Sequence, residues 1–247
     1  MAGFSTRCGG VSDSPYHSLN MAYHTGDRPS NVWENRKRFL SIWGLSPEQI
    51  IAGKQVHGTG VHFVDSSDLG RGSRQETAIS DCDALISKSR DIVLAAFSAD
   101  CLLVYLADTS CGGIAVIHAG WKGLLKGIIG EVIEIFIREL GGKPENTLAA
   151  ISPGICFNCF VVGEDVAVAF RNKGWSELLS LQNEYPYPRY LLNLDEICRF
   201  QLKYAGLLQI NIQGSSYCTR CYPDYFYSHR RDGEKTGRMM GFISLTG

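Results

Sequence analysis

The sequence predicts a mixed-sheet α/β or α+β fold, and three observations point there. Short apolar runs bounded by turn residues succeed one another from residue 50 to residue 119, as buried strands do. Apolar positions recur at helical spacing over 124–136, marking an amphipathic helix. The strand-like runs cluster ahead of the helices instead of alternating strictly with them, which argues against a doubly wound sheet.

Taken in order, residues 1–31 are rich in Gly, Ser, Pro, Asp and Asn and predict loops with at most a short strand. The segment "VWENRKRFLSIWG" predicts a helix over 32–44, with Val32, Arg36, Phe39, Leu40 and Trp43 at helical spacing and Gly44 as its stop. "IIAGKQVHG" and "GVHFVD" predict two strands separated by a tight turn. "CDALIS", "IVLAAFSA", "CLLVYLAD" and "GIAVIHA" predict buried strands. One helix follows, with Leu124, Leu125, Ile128, Ile129, Val132, Ile135 and Phe136 on one face and Gly141–Gly142 at its end. Further on come a strand at 147–151, helices at 164–173 and 195–205, and strands at 209–214 and 238–245. No linker, charge block or repeat divides the chain, so residues 1–247 are expected to form one domain.

A chain of 247 residues buries roughly 70–75% of its unfolded surface and needs no staple to fold. The net charge of −1 argues against a nucleic-acid partner held by bulk charge. The basic cluster "HRRDGEKTGR" also carries Asp232 and Glu234 and reads as an exposed hairpin loop. No apolar window reaches membrane-spanning length and no secretory signal opens the chain, so the expected location is cytoplasmic. Nine cysteines in a reducing compartment are expected as thiols, which favours metal binding or catalysis for any that cluster.

Three residues stand alike at the ends of apolar strands: His57 in "GKQVHG", Cys101 in "SADC" and His118 in "VIHAGW". Two imidazoles and a thiolate suit zinc or copper, and three ligands leave a fourth position open, as at a catalytic zinc. Spacing alone leaves a satisfied core histidine and an inert buried thiol as alternatives, because no short metal motif is present. Two Cys-x-x-Cys pairs, Cys156/Cys159 and Cys218/Cys221, stand too far apart for a zinc ribbon and read as buried thiols unless folding unites them. Asp100 precedes Cys101 and reads as a general acid–base, a support for a ligating histidine, or a turn residue; Asp81 and Asp83 open a nearby strand. Arg36 and Arg7 are candidate anchors for an anion such as phosphate, or surface salt-bridge partners.

The chain resembles the YfiH-like family, also called laccase-domain or multicopper polyphenol oxidase-like proteins and re-described as purine nucleoside phosphorylases. The resemblance runs from "STRCGGVSDSPYHSLNMAYHTGDRPSNVWENRKRF" through "KQVHG", "SADCLLV", "IHAGWKG" and "SPGI" to "CT" and "SHRRDGEKTGRMMGFI". It implies a single domain in a four-layered α/β/β/α arrangement, metal ligands at His57, Cys101 and His118, and a substrate-side arginine at Arg36. Two positions depart from the pattern: Leu103 stands where the family often has Pro, and Lys122 where it often has Arg.

The implied function is zinc-dependent phosphorolysis of adenosine, inosine, guanosine and methylthioadenosine, with deamination of adenosine. Asp100, Cys101 and His118 are then the expected catalytic set, with purine nucleoside and phosphate as small-molecule partners and a monomer or weak homo-oligomer as the assembly. Two other classes stay open: a copper-dependent polyphenol oxidase, and a hydrolase of cell-wall precursors with Cys101 as nucleophile and His118 as base.

Overall fold

A computed structural model describes residues 1–183 and 187–245. Two mixed sheets stack face to face. The smaller has the order β1 (Ala2–Phe4), β13 (Met239–Ile243), β5 (Val93–Ser98), β2 (Ile50–Ala52). Its β2 and β5 are parallel, and its other pairs antiparallel. The larger has the order β12 (Ile212–Gly214), β8 (Thr147–Ile151), β6 (Leu102–Asp108), β7 (Ile114–Ala119), β4 (Ala84–Ser87), β3 (Val61–Phe63). There the outer pairs β12·β8 and β3·β4 are parallel and the inner ones antiparallel. A small antiparallel sheet of β9 (Val161–Gly163), β11 (Arg189–Leu192) and β10 (Leu179–Asn183) lies apart from both.

The period-2 alternation of β5 shows how the layers form. Val93, Ala95 and Phe97 face one way, into a cluster with Leu19, Met21, and Phe39 and Leu40 of helix α1 (Pro29–Ser41). Leu94 and Ala96 face the other way, against Leu85, Leu103, Tyr105, Ile114 and Val116 of the larger sheet. The outer face of that sheet packs Val104, Leu106, Ala115 and Ile117 against helix α3 (Ile128–Leu140) and helix α5 (Leu194–Tyr204). The order is therefore helix, sheet, sheet, helices: the four-layered α/β/β/α arrangement expected. Strands buried on both faces explain why their sequences are continuous apolar runs.

Differences from the sequence reading have local causes. The helix expected over 32–44 begins earlier, because Pro29 occupies its first turn. The single helix expected after residue 120 is two, α2 (Trp121–Lys126) and α3, since Gly127 adopts φ +88° and ends the first. Helix α4 (Glu164–Arg171) and α5 stand close to their expected positions. Residues 209–214 are a 3-10 turn followed by the short β12.

The two strands expected around residue 57 are not a hairpin. β2 belongs to the smaller sheet and β3 to the larger, and the chain between them crosses from one sheet to the other. The basic cluster near residue 230 keeps an exposed tip at 232–235, but its start is a helical turn, α6 (His229–Asp232), capped by Ser228 Oγ accepting from the Arg231 amide. No helix among the described residues is long and apolar enough to cross a membrane.

Candidate functional site

The smaller sheet hands the chain to the larger at two crossings, and the site lies at both. Gln55 manages the first. Its side-chain amide donates to the Phe97 carbonyl at 2.8 Å while its Oε1 accepts the Phe97 amide at 2.8 Å. That exchange extends the edge of β5 past the end of β2 and aims the next residues at the gap between the sheets. Asp83, just before β4, receives them. Its Oδ2 accepts the amides of Val56 (3.2 Å) and Gly58 (2.8 Å), and its Oδ1 accepts that of His57 (3.0 Å). So held, His57 adopts the left-handed φ of +60°, uncommon for a side-chain-bearing residue. At the second crossing Ala99–Cys101 joins β5 to β6, with Asp100 at φ +97°.

His118 sits in β7, opposite Leu103, and its ring meets Asp83 as well. Nδ1 lies 2.8 Å from Asp83 Oδ1, and the His118 amide donates to the Asp83 carbonyl at 2.7 Å. With Nδ1 tied, Nε2 is the nitrogen left to act. The His57 and His118 rings meet edge to face, with centroids 4.8 Å apart. Ligand atoms of His57, Cys101 and His118 all fall within 4.8 Å of one another, a group able to hold a metal ion.

The three residues named from the sequence are therefore one cluster. Burial pushes the Cys101 thiol up, but His118 and a hydrogen bond from His57 outweigh it and bring the pKa down to about 6. Burial pulls His118 down, but Cys101 and Asp83 raise it to about 9. The thiolate is the form a soft or borderline metal takes.

The cluster opens into a cavity of about 1230 Å³. Lys54, Arg36, Arg74, Lys122, Arg230 and Arg238 line it against only Glu76 and Asp100 among the acids, and Tyr23, Phe97, Trp121 and Phe160 add aromatic surface. His24 also lines the cavity; burial, then Arg238 and Arg36, lower its pKa to about 4. Gly120 leaves the cluster room: a Cβ there would stand 3.1 Å from both Cys101 Sγ and His57 Cδ2.

Other expectations find different places. Asp100 lines the cavity, but its Oδ1 accepts from Thr219 Oγ1 at 2.6 Å and its Oδ2 from the Arg230 amide at 2.7 Å. The support of a cluster histidine, one of the readings open for Asp100, falls to Asp83 instead. Arg36 lines the cavity at 2% exposure, with Nε on the Met21 carbonyl (2.9 Å) and Nη1 on those of Gly72 (2.8 Å) and Ser73 (3.0 Å). Burial lowers its pKa to about 10, so it stays charged at neutral pH.

Arg7 is not among the residues that line this cavity. Its guanidinium donates to the His17 and Pro223 carbonyls and lies over the Tyr227 ring. Nor is the basic cluster near residue 230 a bland loop: His229, Arg230 and Arg238 line the cavity. Sequence reasoning missed Asp83 as the keystone because its role arises from strand register; its place just ahead of an apolar strand was the only signal.

The family described as multi-copper polyphenol oxidoreductase laccase matches residues 1–246. Among relatives, the "Purine nucleoside phosphorylase YlmD" of Bacillus subtilis is 35% identical, the match covering 99% of this chain and 88% of that protein. The "Purine nucleoside phosphorylase YfiH" of Escherichia coli is 36% identical, over 98% of this chain and 92% of that one. Among solved structures, the YfiH protein of Bacillus licheniformis superposes with a TM-score of 0.95 at 36% identity, covering 99% of this chain and 92% of that one. YlmD of Geobacillus stearothermophilus superposes with a TM-score of 0.92 at 34% identity, covering 100% and 92%. The chain belongs to the laccase-domain family of YfiH and YlmD proteins.

Proposed function

We propose that this chain is a zinc-dependent purine nucleoside phosphorylase acting on adenosine, inosine, guanosine and methylthioadenosine, and that it also deaminates adenosine. The observation that carries the reading is the cavity itself: cationic side chains in excess, aromatic walls, and an imidazole–thiolate cluster at its base. The names of the relatives agree with it.

The donor set suits a zinc ion, since ligand atoms of two imidazoles and a thiolate lie within 4.8 Å of one another. His57, Cys101 and His118 would hold the zinc, which would supply Lewis-acid charge there. Asp83 holds both imidazole-bearing segments, and through Nδ1 it fixes which face of His118 turns to the cluster. Arg238, Arg230 and Lys122 supply the positive field that gathers phosphate beside a ribose. Arg36 adds a buried fixed charge to that field, its orientation set by three carbonyl contacts. Tyr23, Phe97, Trp121 and Phe160 offer flat apolar surface to a purine and keep water from it. Asp100 acts as a positioning residue, tying Thr219 and Arg230 to the wall next to Cys101.

Incubated with adenosine and phosphate, the metal-replete protein is expected to release adenine and ribose 1-phosphate; with adenosine alone, inosine. Both activities should vanish together in His57→Ala, Cys101→Ala and His118→Ala, since all three side chains build one cluster. A metal-replete protein that turns over no purine nucleoside overturns the reading. A hydrolase using Cys101 as nucleophile is the second reading, favoured by the thiol pKa of about 6 beside His118. It predicts that metal removal raises amide hydrolysis, where the first reading predicts loss of all turnover. A copper polyphenol oxidase draws no comparable support: of the two groups able to hold a metal among the described residues, one contains no imidazole.

A further inference from the structure

The second such group is Cys156, Cys159, Cys218 and Cys221. The sequence holds the two pairs far apart, and a single strand pairing unites them. β12 runs parallel to β8, with Ile212 beside Ala149 and Gly214 beside Ile151, so the segments leaving both strands continue side by side. A further parallel bridge joins Gly154 to Cys218, and the Thr219 amide donates to the Gly154 carbonyl at 3.0 Å. Each Cys-x-x-Cys then turns sharply. The Cys159 amide donates to the Cys156 carbonyl at 3.0 Å, and the Tyr222 amide to the Cys218 carbonyl at 3.2 Å.

We propose that these four cysteines form a closed, four-thiolate site for a single zinc ion, separate from the His57–Cys101–His118 cluster. Every sulfur lies within 4.8 Å of the others, and Cys159 and Cys221 sulfurs approach to 3.3 Å. Zinc–sulfur bonds of about 2.3 Å place tetrahedral sulfurs about 3.8 Å apart, so one ion matches the spread.

The surroundings suit thiolates. Cys218 Sγ accepts the Cys156 amide at 3.3 Å, and the amides of Cys221 and Arg220 also turn to it. Arg220 Nη1 stands 3.5 Å from Cys159 Sγ, where its charge offsets part of the negative charge four thiolates and one divalent ion leave. Only sulfur completes the group, which is the donor set of a structural site without an open position.

Its location gives it a task. Thr219, inside the second turn, bonds Asp100 at 2.6 Å, and the Ile155 amide, next to the first turn, donates to the Asp100 carbonyl at 2.8 Å. Ile155 and Phe160 line the cavity. An ion here staples two loops into the wall that carries Asp100.

The test is elemental analysis of the full chain grown with zinc, in parallel with Cys101→Ser and Cys218→Ser. The proposal expects Cys101→Ser to keep one zinc per chain and Cys218→Ser to lose that one. Because Cys218→Ser can fail to fold, the Cys101→Ser chain is also loaded with cobalt. Four thiolates then give an intense sulfur-to-cobalt charge-transfer band in the near ultraviolet with tetrahedral bands in the red.

Zinc absent from Cys101→Ser, or non-reducing mass analysis showing the four cysteines tied as disulfides, overturns the proposal. Wild-type protein that holds only the zinc surviving in Cys101→Ser supports it, while overturning zinc at the first cluster, so the two readings fail separately.

Discussion

The two sulfur-bearing clusters are built by opposite means. The His57–Cys101–His118 cluster stands where the chain crosses between the stacked sheets, and a buried carboxylate, Asp83, gathers three amides and an imidazole to hold it. The four-cysteine group stands on two loops leaving parallel strands, and backbone amides and one arginine are its support. One opens into a large cavity; the other gathers four sulfurs and no imidazole. A carboxylate support keeps its ligands in place before any ion arrives, whereas thiols on loops depend on the ion to hold them together. Reactivity and stapling call for that difference.

Asp83→Asn gives the largest expected contrast. It keeps the shape but removes the charge that His118 and three amides share. Metal affinity at the first cluster should fall about 10- to 100-fold, with nucleoside turnover, while zinc at the four cysteines is unchanged. Equal loss at both, read by elemental analysis, breaks the distinction.

Gly120→Ala comes next. The backbone there, at φ −75°, accepts any residue, so its effect is the new Cβ pressing on Cys101 and His57. Turnover should drop about 10- to 100-fold with little change in thermal stability, because a displacement of well under an ångström spoils a reacting geometry.

Thr219→Val probes whether the staple reaches the cavity. It deletes the 2.6 Å hydrogen bond to Asp100 but no metal ligand. About 1 kcal/mol of positioning should be lost, seen as a several-fold rise in KM for phosphate with both metals retained. An unchanged KM would leave the four-cysteine loops mechanically separate from the site.

The contrast between the clusters is touched least by a carboxylate remote from both, whose effect falls on stability and sets the acid background for either. Asp108 accepts from the Ser110, Cys111 and Lys143 amides and two hydroxyls; burial raises its pKa, but these bonds hold it far below the usual carboxylate range. Its contribution is complete above the unfolded value near pH 4 and fades as pH falls. Asp108→Asn should cost about 1–2 kcal/mol at neutral pH and flatten the acid limb of a stability–pH curve.

Much of this was legible beforehand. Buried strands announced themselves as apolar runs, and the face of α3 by its spacing, because burial selects side chains locally. His57, Cys101 and His118 were legible as chemistry and assembled as expected. What the sequence left open depends on register between distant strands: Asp83 takes its role from where β4 and β7 pair, and whether the two Cys-x-x-Cys pairs meet is decided by the pairing of β8 with β12. The small sheet of β9, β10 and β11 went unread because its strands are only three to five residues long, too short to show a clear period. Gly127 hid a helix break inside an unbroken apolar stripe.

The placement of the first cluster at both sheet crossings has a dynamic consequence. His57 and Cys101 ride on segments leaving the smaller sheet, whereas His118 belongs to the larger. Widening the sandwich at that rim works against the Asp83 hold on His57 and the short Ala99–Cys101 link, so sheet separation and site geometry are coupled. A ligand gripping all three residues therefore damps that motion, and slower amide exchange in β5 and β7 on loading would register it.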